Sequence, residues 1–117
     1  MMATLREEAR DIPVAFECDI CVLGGSCTGV FAAVAAARLG ARVALVERAG
    51  LLGGTATAGL VSIWHSLHDM SRKNRIIAGL TLEVTERLRR RAAAEGPDEV
   101  TLNTAELAIE LDMLVRE

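Results

Sequence analysis

Aromatic residues are nearly missing from this 117-residue chain, which has one tryptophan, two phenylalanines and no tyrosine. Trp64, Phe16 and Phe31 leave any core to Ala, Leu, Val and Ile, which pack closely but without the bulk of aromatic rings. Proline is scarce too, at two residues, yet apolar types reach 51% against 25% charged. That balance excludes a disordered or linker-like chain and predicts one small globular domain. A surplus of positive charge is also absent: thirteen Lys and Arg against sixteen Asp and Glu give a net charge of −3. Without the basic excess of nucleic-acid binders, no nucleic-acid partner is expected.

Cysteine is limited to Cys18, Cys21 and Cys27. An odd, clustered set is not a secreted disulfide framework, so a reducing, cytoplasmic setting is expected. Residues 1–17 mix Arg6 and Arg10 with Glu7, Glu8 and Asp11 and lack the apolar stretch of a signal peptide. They read as an N-terminal arm, followed by a single region over residues 18–117. From Ile20 to Ala37 no residue is charged, a run that just reaches the roughly 18-residue threshold for a membrane-span candidate. Gly24, Gly25, Ser26 and Thr28 divide it into a strand-like and a helix-like part. Each is too short for a bilayer core of about 30 Å, so no membrane partner is expected.

What the sequence does contain is a pattern of elements. Asp19–Leu23 is a short apolar run closed by glycines, as in a strand buried on both faces of a parallel sheet. Thr28–Leu39 is rich in helix formers, with Gly40 placed to end the helix in a left-handed conformation. Arg42–Val46 is a second strand, ending on Glu47. Strand, glycine turn, helix and strand make a βαβ unit with parallel strands. Ala49–Leu60 holds four glycines among small residues and reads as a binding loop or a flexible one. A helix is predicted over Leu80–Ala94, with Leu80, Val84, Leu88 and Arg91 on one stripe and Gly96-Pro97 as the stop. A last helix starts at an Asn103 cap with Glu106 at N3, Leu102 and Leu107 as a staple, and the stripe Leu107, Leu111, Leu114 and Val115. Two strands do not complete a parallel sheet, so the fold class is an α/β, Rossmann-like βαβ dinucleotide-binding unit with following helices, an incomplete FAD/NAD(P)-binding domain.

The turn Gly24-Gly25-Ser26-Cys27-Thr28-Gly29 matches G-x-G-x-x-G at its first and third glycines, with Ser26 in place of the second. Gly24 permits the tight turn and Gly29 lets helix and strand pack closely. The free amides and positive dipole end of the helix suit a diphosphate. Ser26 stands where backbone and phosphate approach each other, either crowding the phosphates or donating a hydrogen bond to them. Glu47 follows Gly29 at close to the spacing of about 20 residues at which an acidic residue accepts hydrogen bonds from a ribose. Its charge repels a 2′-phosphate, which favours NAD or FAD over NADP.

The segments DICVLGGSCTGVFAAVAAARLGARVALVER and GLLGGTATAGL together resemble the amino-terminal FAD-binding region of FAD-dependent oxidoreductases with a glutathione-reductase-type fold, including the branch related to heterodisulfide reductase. The resemblance continues more weakly through IIAGLTLEVTERL and NTAELAIELDML. It implies FAD as cofactor, with its ADP half on the first βαβ unit. The pyrophosphate would lie near Gly24, Gly25, Ser26, Cys27, Thr28 and Gly29, the adenosine ribose at Glu47 beside Arg48, and further contacts along Gly53, Gly54 and Thr55. It also implies a remaining sheet and substrate domain, supplied by the rest of the fold or by a partner chain, so the chain is expected to be a truncated flavoprotein oxidoreductase. A non-catalytic dinucleotide-binding or accessory module and an inactive remnant are the alternatives.

Relatives in that branch often carry iron–sulfur clusters, but Cys18 and Cys21 fall on opposite faces of a strand and a fourth thiolate ligand is lacking, so no metal is expected here. Cys27, at the helix start, is read as a packing residue, because bound phosphates would oppose a thiolate there. His65 and His68, near Trp64 and Asp69, read as a polar loop for want of a third ligand. Arg87, Arg89, Arg90 and Arg91 follow Glu83 and Glu86 as dipole compensation at a helix end. No substrate-facing acid, base or nucleophile is identified.

Overall fold

A computed structural model describes residues 3–117; the first two residues of the expected arm lie outside the described residues. From Ala3 to Cys18 the chain forms no helix or strand. Strand β1 (Ile20–Leu23), helix α1 (Cys27–Arg38) and strand β2 (Val43–Val46) follow, with β1 and β2 parallel in the register Ile20↔Val43 to Leu23↔Val46. The βαβ unit therefore forms as the apolar pattern requires. The strand begins after Asp19 because that carboxylate instead accepts the Arg42 amide at 2.8 Å and pairs with its guanidinium at 3.0 Å. The helix begins one residue earlier than the pattern suggests, at Cys27, because Ser26 caps it.

Helix α1 ends as expected, with Gly40 at φ +94°. The Gly40 amide donates to Ala37 and the Ala41 amide to Ala36, the paired bonds of a Schellman closure. One expectation fails on β1, which is not buried on both faces. Ile20 is 42% and Leu23 80% exposed, and Val46 of β2 is 52% exposed. Helix α1 packs on this two-stranded sheet from one side, burying Val30, Ala33 and Val34.

The second half builds its own antiparallel sheet, unforeseen in the sequence, from β3 (Ile63–Trp64), β4 (Ala94–Glu95) and β5 (Val100–Leu102), in the order β3-β5-β4. Helix α2 (Leu80–Arg90) stops short of the predicted Ala94. Ala92 turns into the left-handed region at φ 54°, and the next residues are recruited to pair with β5, Ala94 opposite Leu102. Gly96 and Pro97 consequently sit between β4 and β5 instead of ending the helix. Helix α3 (Thr104–Leu114) starts as predicted, Asn103 Oδ1 accepting the Ala105 and Glu106 amides at 3.1 and 3.2 Å. Its buried stripe is Leu107, Leu111 and Leu114, but Val115 is left 39% exposed and Glu110 takes an inward place.

The core joins Val84, Leu88, Val100, Leu102, Leu107 and Leu111 to Val30, Val34 and Ala56 of the first half. Glu110, 1% exposed, reaches this interior as a charge held from both sides. Arg91 Nη2 donates to its Oε2 at 2.5 Å and Arg87 Nη1 to its Oε1 at 3.3 Å. Arg87, Arg89 and Arg90 occupy the last turn of α2 and Glu83 its first, the arrangement expected for the helix dipole. Arg87 and Arg91 have this second role as well, since a buried carboxylate requires hydrogen-bonded partners.

Candidate cofactor-binding site

The site starts from a backbone necessity. Gly24 leaves β1 at φ +100°, its amide donating to Val46 O at 2.8 Å, and a side chain added there would meet open space. This is the accessible lip of the turn. Gly29 faces the other way: a Cβ on it would overlap the Gly24 carbonyl, so helix and strand reach their packing distance only with glycine at that position. Gly25 is buried, and a Cβ on it would stand 2.6 Å from Leu52 Cδ2 and 3.1 Å from Glu47 Cβ.

Ser26 acts at its position as a helix cap. Its side chain turns back to accept the Gly29 amide at 3.3 Å as the N-cap of α1, satisfying one of the orphan donors of the first turn. No acidic residue lies in that first turn to compete with an anion for its amides. Thr28 is exposed at the same end.

Glu47 is brought directly to the turn. Its Oε2 accepts the Gly25 amide at 2.6 Å and its Oε1 the Ala49 amide at 2.7 Å. These backbone donors, Ala49 and then Gly25, hold the carboxyl below the usual range. An ionised carboxylate has about four acceptor sites, so two remain for hydroxyl donors. Arg48 is exposed beyond it.

The second glycine stretch docks onto the first. Gly53, at φ +103°, donates its amide to Gly25 O at 2.7 Å, and Ser26 and Gly53 form a parallel bridge. The Cys27 thiol lies 3.6 Å from Gly53 O as donor, and burial pushes its pKa up, consistent with a packing role. Gly54 lies against Ser26, where an added Cβ would approach Ser26 Cβ to 3.2 Å. Thr55 is exposed at the rim. Ala49–Leu60 is thus a docked loop over Gly53–Ala56.

Two parts of this neighbourhood carried no sequence signal. Thr57, 3% exposed, ties the loop together by donating from Oγ1 to Leu52 O at 2.6 Å. A hollow of about 360 Å³ adjoins the start of α1, lined by Cys27, Thr28, Phe31, Trp64, His65 and Ser66 among others. His65 and His68 lie in the segment after β3 and not on a helix. His68 Nδ1 lies 2.7 Å from Asp98 Oδ1, and Ser66 Oγ lies 2.9 Å from both Asp98 oxygens. These contacts, His68 first, hold the Asp98 carboxyl below its ordinary range.

A parallel βαβ unit whose glycine turn, helix start and terminal carboxylate converge belongs to the dinucleotide-binding class. The comparisons give the family. The profile described as FAD dependent oxidoreductase matches residues 19–115, and the chain belongs to that family. FAD is the family's cofactor. The chain is also similar to mitochondrial dihydrolipoyl dehydrogenase of Schizosaccharomyces pombe (strain 972 / ATCC 24843), at 31% identity over 84 residues. That match covers 62% of this chain and 16% of the relative, so the chain corresponds to about a sixth of that protein. No solved structure matches. Among the described residues, no helix is long and apolar enough to cross a membrane.

The residues present fit the cofactor. The open lip at Gly24 lets a ligand reach the backbone, the α1 start lacks competing acids, and Glu47 retains acceptor capacity beside both.

Proposed function

We propose that the chain binds the ADP half of FAD, with the pyrophosphate over Gly24–Gly29 at the start of α1 and the adenosine ribose on Glu47. The observation that carries this reading is the 2.6 Å bond from the Gly25 amide to Glu47 Oε2, which joins the ribose acceptor to the phosphate turn. Gly53, Gly54 and Thr55 border the same cleft, and Arg48 adds positive charge at its edge. Residues 18–117 form the FAD-binding region and residues 1–17 an arm outside it. Bound FAD supplies a ring that accepts and returns reducing equivalents. The protein's own contribution at this site is binding: amides face the phosphates, Glu47 orients the ribose, and Ser26 keeps the helix start in shape. The parent activity is flavin-dependent oxidoreduction, in the branch related to heterodisulfide reductase, a placement supported by the DICVLGGSCTGV and GLLGGTATAGL segments. Three free thiols support a reducing, cytoplasmic setting.

Equilibrium dialysis of the 117-residue chain with FAD tests the proposal. Saturable binding displaced by ADP is expected, with 2′-phospho-ADP a poorer competitor because Glu47 is ionised. Glu47→Gln is expected to weaken binding about tenfold, through loss of a charge-assisted hydrogen bond, and to narrow the gap between the two competitors. Binding unaffected by ADP, or unchanged in Glu47→Gln, overturns the placement. Absence of binding by folded protein favours an inactive remnant, for which the widely exposed β1–β2 sheet is the supporting observation.

A further inference from the structure

We infer that the hollow walled by Trp64 at the start of α1 receives the isoalloxazine ring of the bound cofactor, with Trp64 in contact with that ring. The inference rests on the reading of Glu47 and the glycine turn given above and extends it to the opposite end of the ligand. In FAD the pyrophosphate lies between adenosine and the flavin. With adenosine at Glu47 and the pyrophosphate over Gly24–Gly29, the ring leaves the turn on the side away from Glu47. Cys27 and Thr28 belong to that turn and also line the hollow, which therefore adjoins the pyrophosphate.

The hollow suits a planar ring. Its volume of about 360 Å³ is at the lower end of the usual 300–1,000 Å³ range of ligand sites, large enough for a tricycle and too small for the whole dinucleotide. Phe31, Ile63, Trp64, Leu67 and Ile77 supply apolar wall, while Ser66 supplies a polar group. That polar group is held in place, because Ser66 Oγ bonds Asp98, which in turn is paired with His68. Trp64 is held as well: its ring stands edge-on to Phe31, with centroids 6.3 Å apart and planes at 83°. A larger hollow of about 540 Å³ between α1 and α2 is lined by Arg38, Gly79, Leu80 and Glu83 and includes no residue of the glycine turn.

The composition makes the inference directly testable. Indole and phenol side chains quench an excited flavin in contact with them by electron transfer, and this chain holds one tryptophan and no tyrosine. Flavin emission is therefore excited directly in the complex of FAD with the full chain and with Trp64→Phe, after equilibrium dialysis has established the bound fraction of each. The bound flavin is expected to be dark with Trp64 and several-fold brighter in Trp64→Phe, compared at equal bound fraction. On the unaltered chain, FAD is expected to shield Trp64 from hydroxyl-radical oxidation read by mass spectrometry, whereas ADP, filling the phosphate turn alone, leaves it accessible. Equal flavin brightness in the two proteins, or equal shielding by FAD and ADP, overturns the ring site while leaving the ADP site standing. If Trp64→Phe does not fold, the shielding comparison decides. Failure of FAD to bind in dialysis overturns both readings together.

Discussion

Leu23 in β1 and Leu111 in α3 look alike as members of apolar runs, yet Leu23 is 80% exposed and Leu111 is fully buried. The difference follows the architecture. The first half spends its regular structure on presenting a glycine turn, with β1 covered by α1 from one side, whereas α2, α3 and the β3-β5-β4 sheet enclose most of the core. The two halves meet where Leu111 packs beneath the docked loop: a Cβ on Gly53 would come within 3.0 Å of Leu111 Cδ1. The candidate site is therefore a local backbone device supported from below by a core that belongs mainly to the other half.

The largest effects should come from breaking that support. Leu111→Ala is expected to cost about 2–5 kcal/mol through lost burial and the cavity left behind. Leu23→Ala, at an exposed site, should stay within about 0.5 kcal/mol of the parent. Urea denaturation of the two variants measures this directly. Equal losses would mean that β1 is covered in solution and would remove the contrast between the halves.

The next effect is smaller and confined to the turn. Gly29→Ala drives a methyl group into the Gly24 carbonyl and should cost about 1–3 kcal/mol as overpacking, with loss of FAD binding as helix and strand are forced apart. Gly50, in the neighbouring loop, has open space around it and no positive φ. Gly50→Ala should therefore remain within about 0.5 kcal/mol and bind FAD normally. Thermal unfolding and dialysis on the pair separate a requirement for glycine from general loop sensitivity.

The same contrast explains what could be read in advance. The βαβ unit and the start of α3 were legible because their signals are local: apolar strands, an Ala-rich helix and Gly40 in the first, the Asn103 cap in the second, each acting within a few residues. The spacing from Gly29 singled out Glu47 as a site residue, but its bond to the Gly25 amide carried no sequence signal. The docking of Gly53 on Gly25, the Thr57 tie and the hollow at Trp64 were not legible either, since each depends on where a loop returns in space. The β3-β5-β4 sheet escaped for a related reason. Two- and three-residue strands show no alternation, and although β4 and β5 form a local hairpin, β3 pairs with β5 far along the chain, Ile63 opposite Thr101. The end of α2 was overrun because Ala92, which takes a left-handed conformation, has no sequence mark of a helix stop.

The most delicate probe of the junction is electrostatic. Arg38 at the end of α1 donates to both Glu83 oxygens in α2, at 2.7 and 2.9 Å, and Arg87 donates to Glu83 Oε1 at 2.5 Å. Arg38 first, with Arg87, holds the Glu83 carboxyl down at about 2, against an ordinary value of 4.5. A carboxylate depressed in the folded state favours folding fully above its unfolded pKa, and that contribution is lost as pH falls toward the folded value. Thermal stability should accordingly decline from about pH 4.5 to about pH 2. Asp69, also held near 2, through Asn74 and Ser71, contributes to the same window. Glu83 is isolated by a variant, because Arg38→Gln removes its first partner while leaving the Asp69 loop intact. Carboxyl-detected NMR should show the Glu83 titration moving up toward 4.5 in Arg38→Gln, with Asp69 unchanged and a shallower decline in midpoint across that range. The shift should be partial, since Arg87 remains. An unmoved Glu83 titration would place its stabilisation within α2 alone and remove this charged link between the two halves.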